Sequence, residues 1–203
     1  DEREIRGKKK DLAQRMLGGG GVDRTGVRRR GGTAAGAVVE RLPEIRQIEP
    51  QRDAPALRRL ESVRQRLPEK YRNRNNFAWA VAQIAGLDKV EYFAHSGIQG
   101  VGEFSGAAAK KIADISGRRK KGRFEVLCVN HNDEIEGDDC WPRNVDTECK
   151  ILEDLAARLP DPSVAGRLRI YTDLYPCASC RHVMAQFLAV YTNVQMQVLY
   201  RER

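Results

Sequence analysis

Apolar residues between positions 55 and 203 change their period several times, and each change marks an element. Leu57, Leu60, Val63 and Leu67 recur at roughly helical spacing with arginines between them, after Pro55 and before Pro68. That predicts an amphipathic helix with one face packed on a sheet. From Asn76 the period drops to two, with Phe77, Trp79 and Val81 alternating with Ala78, Ala80 and Ala82. Gly86 and Asp88 supply turn chemistry, and the stretch from Val90 to Ser96 alternates again, which predicts a β-hairpin. Ile112 and Ile115 suit a helix in the first half of 106–123, whose second half is a basic loop bracketed by Gly117 and Gly122. Phe124 to Val129 reads as a buried strand, followed by a polar, acidic loop from Asn130 to Asn144.

The last 60 or so residues continue the pattern. Thr147 to Leu159 places Ile151, Leu152, Leu155 and Leu159 on one helical face, behind Asp146 as a good N-cap residue. Leu168 to Tyr171 reads as a short strand. Cys177 to Tyr191 carries Val183, Met184, Phe187 and Leu188 at helical spacing, and Val194, Met196 and Val198 alternate in a final strand. Strands separated by helices imply an α/β layer in which parallel strands are covered by crossover helices. Residues 1–50 differ. They hold Gly18 to Gly21 in a row, then Arg28-Arg29-Arg30-Gly31-Gly32, and only scattered apolar residues. Such a segment is expected to be weakly ordered, with at most a short helix around Leu12 to Leu17.

Charge sharpens this division. The net charge of +8 belongs mainly to the first third: residues 1–75 hold 20 Lys and Arg against 11 Asp and Glu. A surplus of this kind suits a polyanion, a solubilising tail or a linker equally well. No run approaches the roughly 18 apolar residues of a membrane span, and no apolar stretch follows the N-terminal charges as in a secretory signal. No membrane partner is expected. The chain opens at Asp1 rather than methionine, as a fragment of a longer protein would. The cysteines, Cys128, Cys140, Cys149, Cys177 and Cys180, are odd in number and unevenly spaced. In a chain able to build its own core, that favours reduced thiols over a disulfide framework.

The candidate chemistry sits at two helix starts, Asp146-Thr147-Glu148 and Pro176-Cys177-Ala178-Ser179-Cys180. Two cysteines three apart at a helix start can aim both sulfurs at one ion, and the helix dipole favours their thiolate form. Tetrahedral zinc accepts thiolate, imidazole or carboxylate, and a catalytic site keeps one position for water. A lone C-x-x-C is also found in redox proteins and structural zinc sites. A ligand two residues before a glutamate at one helix start, with P-C-x-x-C at the next, is a deaminase signature.

On these residues, together with the hairpin that ends Phe93-Ala94-His95-Ser96 and the terminal Val194–Tyr200, the sequence resembles the cytidine-deaminase-like superfamily. The closer resemblance is to bacterial polymorphic-toxin deaminases, over roughly residues 55–203. It implies a three-layer α/β fold, a central mixed sheet of about five strands flanked by helices. It divides the chain into a basic, Gly/Arg-rich segment or linker (1–53) and a deaminase domain (54–203). It also implies Zn²⁺ held by Asp146, Cys177 and Cys180, water attack at C4 of cytosine, and Glu148 carrying the proton to N3 and then to the leaving amine. The superfamily's usual ligand before the glutamate is His or Cys. With Asp146 there, three anionic ligands leave a dication's site with one net negative charge, and its Lewis acidity leans more on surrounding donors. If Asp146 only caps its helix, His131 or Cys140 is the substitute ligand.

Other residues follow with alternatives open. His95 and Ser96 could face the base, with a backbone-bonded core role equally open for His95. Trp141 could stack on a base, and Tyr175 could line the pocket, or each could simply pack. Cys128 and Cys149 read as core thiols, and His182 as a surface residue rather than a donor to the thiols. Arg118, Arg119, Lys120 and Lys121 form the candidate phosphate grip. The reading is thus cytosine deamination in nucleic acid, single-stranded DNA foremost because its bases are already unstacked. RNA bases or free nucleosides are the alternative substrates. A non-catalytic zinc module with four protein ligands, or a C-x-x-C redox protein, are the alternatives from other classes. The toxin resemblance further implies a cognate immunity protein, and secretion or contact delivery into the cytoplasm of a target cell.

Overall fold

The computed structural model describes residues 40–202, so the expectations for residues 1–39, including the helix around Leu12 to Leu17, lie outside the described residues. One five-stranded mixed sheet organises the chain. Its strands are β1 (Glu44–Gln47), β2 (Phe77–Ile84), β3 (Glu91–His95), β6 (Gly166–Leu174) and β7 (Val194–Glu202). They lie in the order β1-β7-β6-β2-β3; β1, β7 and β6 run parallel, and β2 is antiparallel to both β6 and β3. Glu44 to Gln47, inside the segment that the sequence reads as weakly ordered, form β1. Glu44 to Gln47 pair with Gln197 to Tyr200 as an edge strand, whose polar residues gave no alternation to read.

Strand β2 shows why the layers form where they do. Its alternation of large and small residues sends Phe77 and Trp79 to one face and Ala78, Ala80 and Ala82 to the other. On the aromatic face packs α1 (Ala54–Arg64), through Leu60 and Val63, with Leu67 just beyond its end. On the alanine face, where the side chains are small enough for helices to approach, pack α4 (Thr147–Arg158) and α5 (Ala178–Val190). Ile151, Leu152 and Leu155 of α4 and Val183, Met184, Phe187 and Leu188 of α5 are all buried there. The three layers and the central sheet are those the sequence implies. Two short helices, α2 (Glu69–Arg72) and α3 (Gly106–Lys111), lie in the connections, and no helix among the described residues is long and apolar enough to cross a membrane.

Two expectations change between residues 124 and 142. Only Cys128–Val129 (β4) enters a ladder, pairing with Trp141–Pro142 (β5). The preceding residues satisfy their backbone on helix side chains. The N–H groups of Arg123 and Phe124 donate to the Glu153 carboxylate, that of Glu125 to Gln186, and that of Leu127 to Ser179 Oγ. The hairpin also brings Cys128 and Cys140 to a Cα separation of 5.3 Å, and they form a disulfide. Cys128 is thus not a core thiol, and Cys140 is not a free substitute ligand. Spacing alone could not pair them, because the pairing follows from the β4–β5 register. Cys149, Cys177 and Cys180 are free.

The first residue of β6 tests the β2–β6 register. A Cβ at Gly166 would overlap the Gln83 carbonyl oxygen and come 2.6 Å from Ile84 Cα. Gly166→Ala should lower stability by about 1–3 kcal/mol in urea denaturation. An unchanged midpoint would show this end of the pairing to be loose.

Candidate active site

Two helix N-termini meet at the carboxyl end of β6. Asp146 is the N-cap of α4 and Cys177 that of α5, yet neither side chain makes a capping hydrogen bond. Asp146 turns instead toward the other helix. Its Oδ2 accepts from Cys177 Sγ at 3.2 Å and from Cys180 Sγ at 3.5 Å. The ligand atoms of Asp146, Cys177 and Cys180 lie within 4.8 Å of one another, a set that can hold a metal ion. Their chemistry fits such an ion. Carboxylate and thiolates are good donors for a borderline-soft dication.

Glu148 stands one helical step inside. Its carboxylate is buried, and each oxygen accepts from a threonine hydroxyl: Oε1 from Thr172 at 2.7 Å and Oε2 from Thr147 at 2.9 Å. Asn76 Nδ2 donates to both of those hydroxyl oxygens at 2.9 Å, and Asn76 Oδ1 accepts from the backbone N–H of Leu174. Strand β6, helix α4 and the start of β2 therefore fix one carboxylate together. Oε2 also lies 3.4 Å from Cys180 Sγ. Burial, and next the neighbouring Asp146, push the Glu148 carboxyl above its ordinary value of 4.5, against the pull of Thr172. The Cys180 thiol is likewise pushed well up, by its contact with Cys177 and by burial. Four acidic groups crowd this corner, and for Glu148 and Cys180 the crowding and burial favour the protonated form. A dication would relieve it by drawing the thiols into their ionised form.

The corner opens into a cavity of about 980 Å³. That is the upper end of the range for pockets that take drug-sized ligands, roughly 300–1,000 Å³. Glu148, Asp146 and Cys177 form its floor. Asn75, Asn76 and Ser96 line one side, and Asn130 to Asp133 with Arg143 and Arg181 another. Leu42, Ile45, Leu174 and Tyr175 give an apolar lip. The 130–133 wall is held from within. Asn130 Oδ1 accepts from the N–H groups of Asn132 and Glu134, and Asp133 accepts from the Ala178 N–H at the start of α5 while pairing with Arg181.

The residues expected from the sequence divide at this point. Asp146, Glu148, Cys177 and Cys180 come together, and Ser96 and Tyr175 line the cavity. His95 does not: it is fully buried, its Nε2 lies 2.9 Å from the Tyr71 carbonyl oxygen and 2.7 Å from that of Arg74, and Nδ1 accepts from Gly97 N–H. It braces the loop that presents Asn75 and Asn76, and burial pushes its pKa down. Trp141 lies outside the lining, half-exposed beneath the Arg143 guanidinium at 3.9 Å. Arg118 to Lys121 also lie outside it; Arg119 is 3.7 Å from Asp154, on the flank of α4. His182 is beside Glu125, away from the thiols. The sequence reading missed Asn76, Thr172, Asp133 and Arg143. Only Arg143, three residues before Asp146, stood near enough to a motif to be found.

These features define a cytidine-deaminase-like protein. Residues 60–202, well over half of the chain, match the Toxin-deaminase family model, described as the BURPS668_1122 family of deaminases. The chain belongs to that family of bacterial toxin deaminases. No curated protein and no solved structure matches it.

A carboxyl whose folded pKa is raised stabilises the fold below its unfolded value and loses that contribution as pH rises through the folded one. The metal-free protein should therefore lose stability relative to Glu148→Gln as pH climbs above about 4.5. Thermal unfolding of both proteins in a chelator, from about pH 4.5 upward, checks this. Parallel curves would mean that Glu148 carries no burial cost.

Proposed function

We propose that this chain catalyses zinc-dependent hydrolytic deamination of cytosine to uracil in nucleic acid, with single-stranded DNA as the substrate. The observation that carries the reading is the placement of Glu148, a buried carboxylate clamped by two threonines, beside Asp146, Cys177 and Cys180 at the floor of an open cavity. Asp146, Cys177 and Cys180 would hold a zinc ion, which supplies the Lewis acidity that lets water act as a nucleophile near neutral pH. Glu148 would take one proton from that water and deliver it to ring N3, then carry the second, from the hydroxyl left on C4, to the departing amine, so that ammonia leaves and uracil keeps its N3–H.

The side-chain amides of Asn75, Asn76, Asn130 and Asn132 supply donors and acceptors of the kind that read a base edge. A cavity of this volume and openness to the surface suits a base presented from a strand over a free base sealed inside. Basic residues Arg118 to Lys121, on the flank of α4, would meet the phosphates of a strand leaving the cavity. Delivery into a target cell's cytoplasm and a neutralising immunity protein over the cavity mouth belong to the same reading, since the family is one of toxins. A four-ligand binding module draws less support. Cys140 is engaged by Cys128, and His131 is not among the residues brought within reach of Asp146, Cys177 and Cys180.

Incubation with cytosine-containing single-stranded DNA, double-stranded DNA and RNA, followed by sequencing for C-to-U changes, should show conversion in the first pool. Glu148→Ala should reduce it by about 10²–10⁴-fold with zinc content unchanged. Full activity in that variant would remove Glu148 from the mechanism.

A further inference from the structure

The proposed zinc site has a charge problem, and the structure holds a group placed to answer it. Three anionic ligands around a dication leave one net negative charge in a corner where Cys180 and Glu148 are fully or nearly buried. A buried, uncompensated charge is costly. Arg143 is 3.5 Å from Asp146 through its NH1 group and Asp146 Oδ1, the oxygen that the thiols do not use. Among the described residues no other Lys or Arg forms an ion pair with Asp146.

The guanidinium is held in that position. Its Nε donates to the Val129 carbonyl at 3.0 Å and its NH2 to the Asn130 carbonyl at 2.9 Å, while its plane lies 3.9 Å over the Trp141 ring. The side chain is only 15 % exposed. These contacts leave NH1 facing the carboxylate. They also come from the β4–β5 hairpin, which the Cys128–Cys140 disulfide closes.

Resting on the zinc reading above, we infer that Arg143 is the charge-balancing and positioning residue of the metal site, required because the ligand before Glu148 is an aspartate. Its positive charge offsets the one net negative charge of the three ligands and the ion. Its contact with Oδ1 turns Oδ2 toward the thiols. Were the ligand a neutral imidazole, the site would already balance, and a cation at this distance would oppose the ion.

The test is a double-mutant cycle read as Zn²⁺ affinity, by competition of the metal-free full chain against a fluorescent chelator. Arg143→Gln should weaken Zn²⁺ binding by about 10–100-fold, the usual cost of removing a group that orients a ligand. Arg143→Lys, which keeps the charge but loses the bonds to Val129 and Asn130, should recover most of that loss. In an Asp146→His background, Arg143→Gln should leave affinity unchanged or raise it. An equal loss in both backgrounds would overturn the inference and leave Arg143 as a brace of the hairpin. So would identical affinities for the Lys and Gln variants, a comparison that stands alone if Asp146→His binds no metal. Absence of Zn²⁺ binding by the unmutated chain is a separate result, and it would sink the zinc reading itself along with what rests on it.

Discussion

Crowding four acidic groups into one corner, with Glu148 and Cys180 buried, is the constraint on which the rest of this structure depends. Cys177 and Cys180 lie within hydrogen-bonding range of Asp146, and Cys180 also of Glu148, so that each group would repel its neighbours when ionised. Such a cluster persists only where donors and cations surround it. Thr147 and Thr172 donate to Glu148, Asn76 organises both hydroxyls, and Arg143 stands against Asp146. Those supporting residues come from β2, β6, the start of α4 and the hairpin before it. The acid cluster therefore recruits most of the fold.

The sheet makes this recruitment feasible. Small alanines on one face of β2 let α4 and α5 sit close, so that both helix N-termini reach the end of β6. Behind them, Lys150 ties α4 to the hairpin. Its buried ammonium donates to the carbonyl oxygens of His95 and Ile98, and burial pushes its pKa down to about 8. His95 in turn holds the carbonyls of Tyr71 and Arg74. A lysine and a histidine next to this corner thus hold the wall around it. In an enzyme of this kind a titratable residue near the site is not thereby part of it.

The segment from Cys128 to Arg143 has the opposite character. It has little apolar burial, and it is held by a disulfide, by Asx-type bonds at Asn130 and by Asp133 against the start of α5. It forms one wall of the cavity and delivers Arg143. A polar stretch built this way can vary in sequence while the core stays put, because its order comes from individual bonds rather than packing. That arrangement suits a surface that must fit one substrate.

Element types, and the four residues that meet at the two helix starts, were legible in the chain itself. Periodicity marked α1, the β2–β3 hairpin, α4, β6, α5 and β7, because half-buried elements must repeat apolar residues at 3.6 or 2. The two helix-start motifs named Asp146, Glu148, Cys177 and Cys180, because residues close in sequence at a helix N-terminus stay close in space wherever the helix packs. Contacts between distant segments were not legible. Asn76 reaches Glu148 across 72 positions, Cys128 pairs with Cys140 through a hairpin register, and β1 pairs with β7 through polar residues. His95 and Trp141 looked equally fit for the site or against it, and only their neighbours in space decided. Local pattern records which face of an element is buried. Which side chains then meet is fixed by the sheet order, and that order is a property of the whole packed chain.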